Sequence, residues 1–81
     1  MDSAELRLVQ CFQVVFPDLT HEEILTATTS TAAAWDSVAT VTLINVVEEE
    51  FGVSIGLEDV EHMVSFDQFL AYLRTTEAGR G

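Results

Sequence analysis

The chain has 81 residues, three arginines and no lysine against fourteen acidic side chains, and a net charge of −11. That is enough for one domain but too little for both a core and a deep substrate cleft, and the missing basic patch excludes nucleic-acid binding. The 48% apolar content excludes disorder, and so large a single-sign charge suits a domain steered toward basic partner surfaces.

Met1-Asp2-Ser3-Ala4-Glu5 lacks the basic and apolar segments of a signal peptide. No apolar run approaches the roughly 20 residues that span a bilayer. The expectation is a cytoplasmic monomer with no membrane partner. Ser3 is placed as N-cap of a first helix over Ala4–Phe16. Leu8, Val9, Phe12, Val15 and Phe16 share one face, and Arg7, Gln10 and Gln13 face outward. Cys11, alone in the chain, reads as a small buried thiol.

Pro17 ends that helix. Residues 17–35 read as a long loop with at most one helical turn near Thr20–Leu25. Thr26 to Ala34 holds only Thr, Ser and Ala, which predicts a mobile segment. Asp36 then caps a second helix over Ser37–Phe51, its carboxylate accepting backbone N–H bonds at the positive end of the helix dipole. Thr40, Leu43, Ile44, Val47 and Phe51 point inward; Val38, Val41, Thr42, Asn45, Glu48 and Glu49 point outward. Gly52 stands where a left-handed residue ends the helix.

A short helical segment follows over Leu57–His62, and Ser65 caps the last helix, with Gln68 completing a capping box. Phe66, Phe69, Leu70 and Leu73 form its buried side, with Tyr72 at the edge. The fold class is therefore all-α: a small four-helix bundle of three longer helices and one short, with a long loop between the first and second. Residues 1–76 form the domain, and 77–81 are a flexible tail.

Ser37 is the candidate site. Asp36 already serves as cap, so the hydroxyl is not needed for that task. Val38 and Val41 stand where a solvated face is normally polar, which suits a docking surface. Self-catalysis by Ser37 finds no support: a serine nucleophile needs a base oriented by a third group, and His21 and His62 read as surface residues. Two distant histidines and one cysteine make no metal-ligand spacing, and Glu48-Glu49-Glu50 lacks the alternating oxygens of a calcium loop. No catalytic and no metal residue is assigned.

Asp36-Ser37-Val38, Leu43-Ile44, Glu48-Glu49-Glu50-Phe51-Gly52-Val53, Ile55 and the final Tyr72-Leu73 together resemble the acyl carrier protein family over residues 3 to 75. The family places Asp-Ser-Leu at the head of its second helix. The resemblance implies that Ser37, with Asp36 beside it, is the attachment point of 4′-phosphopantetheine. A phosphopantetheinyl transferase donates the group from coenzyme A; the serine oxygen attacks the pyrophosphate, and magnesium in the transferase neutralises the developing charge. The arm carries acyl groups as thioesters, and the chain itself is no enzyme. Val38, Val41, Thr42, Asn45, Glu48 and Glu49 are the implied docking residues for acyl- or aminoacyl-loading and transfer enzymes with basic patches.

Fatty-acid carriers of this family usually have acidic residues two and five positions after the serine, and a hydrophobic residue where Asn45 stands. This chain has Ala39 and Thr42 there, which points to a specialised biosynthetic pathway. Two alternatives stay open: a peptidyl or aminoacyl carrier, which typically places glycines where this chain has Ala34-Trp35, and an unmodified acidic helical adaptor. Thr40, Val47, Phe51, Ile55, Met63 and Tyr72 either line a gap for an acyl chain or form a closed core.

Overall fold

A computed structural model gives the backbone of residues 3–80 and the side chains of residues 3–75. Five helices follow one another: α1 (Ser3–Val15), α2 (His21–Leu25), α3 (Ser37–Phe51), α4 (Leu57–Val60) and α5 (Phe66–Arg80). The all-α expectation holds, but the architecture is not a clear four-helix bundle. α1 is the central element, packing against α2, α3 and α5, while α2 also reaches α5. α4 buries none of its residues.

The sequence pattern of α1 explains its central place. Ala4, Leu8, Val9, Cys11 and Phe12 are buried on one side of it, and Phe16 is buried just beyond its end. Phe12 is the hub. Its ring lies 5.2 Å from Phe66, 5.4 Å from Trp35 and 5.6 Å from Phe69, each approach edge-on, and 6.1 Å from Phe16. Edge-to-face geometry aligns the positive ring edge with a neighbouring negative face, a gain of about 0.5–1.5 kcal/mol per pair beyond burial. α1 already includes Ser3, so its cap position lies outside the described residues.

Arg7 does not face outward as expected. Its guanidinium sits 4.4 Å from the Phe51 ring centroid and its Nε donates to Glu50 Oε2 at 2.9 Å. Arg7 thus clamps α1 to the end of α3. Gly52 ends α3 at φ 65°, the left-handed conformation that costs glycine least.

The segment between α1 and α3 is also more structured than its composition predicts. Thr20 and Glu23 form a reciprocal capping box, which makes the expected helical turn an element of its own. The stretch after it is anchored at several points. Thr29 N–H donates to Val64 O at 2.9 Å and Phe66 N–H donates to Ala27 O at 3.0 Å, an antiparallel bridge to the start of α5. The Thr28 hydroxyl accepts from the N–H groups of Ser30 and Thr31, and Ala27 and Ala32 are buried. Small residues suit these positions because the chain runs directly against the core.

α4 is shorter than expected, ending at Val60. Ser65 does cap α5, accepting from Gln68 N–H at 3.1 Å, but the Gln68 side chain closes back onto Val64 N–H instead of Ser65 N–H. α5 remains helical to Arg80, through most of the expected tail; Gly81 lies outside the described residues.

Candidate functional site

Asp36 adopts extended backbone (φ −99°, ψ −173°), and its Oδ1 accepts from Ala39 N–H at 2.8 Å. Its own carbonyl accepts the first helical bond, from Thr40 N–H at 3.0 Å. Ser37 is consequently the first helical residue. It is exposed, and its hydroxyl has no hydrogen-bond partner among the described residues. The reason is positional. Thr40 and Thr42 turn their hydroxyls onto carbonyls four residues back, Asp36 O and Val38 O, each at 3.1 Å. The residue four before Ser37 precedes the helix, so that arrangement is not open to Ser37.

Trp35 holds the other side of the cap. It is 3% exposed, edge-on to Phe12 and tilted against Phe16 and Phe69 at 5.8 and 6.2 Å. Its Nε1–H donates to Thr40 Oγ1 at 2.8 Å, and Thr40 in turn donates to Asp36 O. Ring, threonine and cap carbonyl are joined into one chain of bonds beneath Ser37. The sequence gives no sign of the link between Trp35 and Thr40, because a five-residue separation across a cap belongs to no helical period.

Along the exposed face of α3, Val38 is 75% and Val41 59% exposed, and Thr42, Asn45 and Glu49 are also exposed. These residues share a surface with Ser37 at its head. One position differs from expectation. Glu48 is half-buried, and its carboxylate accepts from Ile55 N–H at 2.7 Å, so it braces the turn after α3 instead of standing free. Ala39 is half-buried against the core.

His21 and His62 are exposed, and neither bonds to Ser37. No cluster of three or more His, Cys, Asp or Glu side chains suited to a metal ion occurs among the described residues. Chemically, the site is an accessible hydroxyl at the positive end of a 15-residue helix, with no histidine bonded to it among the described residues. It can accept a group delivered by another protein, and an anionic ester there would sit in a favourable field.

Four of the six residues that could line an acyl gap, Val47, Phe51, Ile55 and Met63, are buried core residues. Thr40 and Tyr72 are half-buried, with the Tyr72 hydroxyl donating to Ser54 O at 3.3 Å. Cys11 is buried, and desolvation, reinforced by the Glu50 carboxylate, pushes its thiol up to about 11. Among the described residues no helix is long and apolar enough to cross a membrane. No family model matches the chain, and no curated protein matches it.

Proposed function

We propose that this chain is an acyl carrier domain whose Ser37 hydroxyl receives 4′-phosphopantetheine, in a specialised biosynthetic pathway. The observation that carries the reading is the free, exposed Ser37 hydroxyl at the head of α3, left over because Asp36 performs the cap. The residues present fit such a group: the hydroxyl is accessible, and the helix N-terminus favours the phosphodiester's negative charge. When bound, the arm supplies a terminal thiol that holds acyl cargo as a thioester.

The chain's own residues position and label. Asp36 and Trp35 fix the direction of the first turn of α3. Val38 and Val41 offer apolar contact, Thr42 and Asn45 offer polar contact, and Glu49 offers charge to a basic partner patch. Few contacts of this size suit weak complexes, as a carrier must leave each enzyme after each step. The partners proposed are the transferase and the loading and transfer enzymes of one pathway, and the polar residues at Thr42 and Asn45 favour a dedicated set.

Incubation with coenzyme A, magnesium and a broad-specificity phosphopantetheinyl transferase tests the reading by intact mass. One added prosthetic group, lost in Ser37→Ala, is the expected result. An unmodified protein, under conditions that convert another carrier, would leave the acidic adaptor as the better reading.

A further inference from the structure

We infer that the open depression between α1 and α3 is a second docking surface, and that a basic amphipathic segment of a partner protein occupies it. An aliphatic side chain of that segment sits between Val14 and Val46, and a lysine or arginine beside it meets Glu49. The inference goes beyond the carrier reading and holds equally for the unmodified chain. Val14, Val46, Glu49 and Glu50 line the depression. Val14 is 70% exposed at the end of α1, and Val46 is half-buried on the flank of α3 that faces it. The apolar floor is continuous with the rest of α1. Its exposed residues are Ser3, Leu6, Gln10, Gln13 and Val14, none of them charged, in a chain with fourteen acidic side chains.

The rim decides what can bind there. Arg7 holds the Glu50 carboxylate, whereas Glu49 is exposed and takes no bond among the described residues. Arg74 lies 3.7 Å from Glu5, so neither arginine whose side chain is described is available to Glu49. The missing cation must come from outside. A second copy of the chain would bring the same net charge of −11 and no lysine, so like charges would face each other across the contact. A partner segment with apolar residues on one side and Lys or Arg on the other satisfies both the valines and the carboxylate.

Position gives this surface its use. Glu49 is twelve residues past Ser37, about 18 Å along the helix axis. A partner held there grips the domain by its far end and leaves the head of α3 open. The contact is small, which makes it weak and readily released.

The test titrates the unmodified, isotope-labelled protein with a synthetic helical peptide of about 14 residues, leucine on one face and lysine on the other. A peptide with glutamate in place of lysine is the control, and amide shifts are followed by NMR. The largest shifts should fall at Val14, Val46 and Glu49. Val14→Gln should weaken binding about fivefold and Glu49→Lys about tenfold. Val14→Leu, which retains the apolar contact, and Val38→Gln, at the head of α3, should each stay within about twofold. All four positions are exposed or altered conservatively, so thermal midpoints should agree within about 2 °C. Equal binding of the glutamate peptide overturns the inference, as do shifts centred on Val38 and Val41 or no binding up to about 1 mM peptide. Shifts at Val14 that grow with the protein's own concentration would assign the surface to a second copy and overturn it too. None of these outcomes touches the carrier reading, which is decided by mass at Ser37.

Discussion

Trp35 Nε1 and Thr40 Oγ1 meet at 2.8 Å across the cap of α3, tying the most buried residue of the preceding loop to the helix that presents Ser37. Thr40→Val should leave the indole N–H without its acceptor in a buried setting, a loss of about 1–3 kcal/mol. Thr40→Ser should retain most of the stability. Trp35→Ala removes the packing too and should cost about 3–5 kcal/mol. Urea unfolding followed by far-ultraviolet circular dichroism measures all three. An unchanged midpoint for Thr40→Val would mean that the bond contributes nothing.

Glu48 and Glu49 are neighbours with different tasks. Glu49→Lys changes an exposed charge and should alter stability by under about 0.5 kcal/mol, while slowing association with a basic partner and weakening its salt dependence. Glu48→Lys strips the acceptor from Ile55 N–H and should cost about 1–3 kcal/mol. Equal unfolding midpoints for the two variants would contradict this division.

The segment from Thr26 to Ala34 should resist exchange where it is bonded. The amides of Thr29 and Phe66, which form the bridge, should exchange more slowly than that of Ser30, whose only bond is to the local Thr28 hydroxyl. Thr28→Val removes the hydroxyl that gathers the turn and should speed exchange at Ser30 and Thr31 first. Hydrogen exchange read by NMR decides the order.

Cys11 gives the chain an alkaline dependence of known sign. Its thiol, pushed from 9.0 to about 11, keeps its proton in the folded state over a range where the unfolded chain releases it. Stability from this group is complete below about pH 9 and declines as pH rises toward 11. Urea midpoints between these limits should fall less steeply in Cys11→Ala than in the wild type.

Partner choice should respond to the outer face of α3. If the domain serves a dedicated pathway, general fatty-acid elongation enzymes should accept the modified wild type poorly, and Thr42→Glu with Asn45→Met should improve their turnover. Each restored contact is worth about 1 kcal/mol. Ala39 is left alone, since it packs partly inward and an aspartate there would disturb the core. Efficient loading of the wild type by those enzymes would show an ordinary fatty-acid carrier.

Local chemistry was enough to place α3. The Asp36 cap, the buried set of Leu43, Ile44, Val47 and Phe51, and the left-handed Gly52 all follow from side-chain type at helical spacing, and the structure has each of them. The candidate Ser37 was legible for the same reason: a cap and its neighbour are adjacent in the chain. What only the tertiary structure decided depends on where the chain returns. Threonine and alanine between α2 and α3 look featureless until Val64 and Phe66 come back to pair with them. Arg7 reads as solvated until Phe51 and Glu50 arrive beside it, and Glu48 reads as a docking charge until the turn brings Ile55 N–H within 2.7 Å. Periodicity reports which face a residue occupies on its own helix; the partner that face will meet is set by the packing of the others.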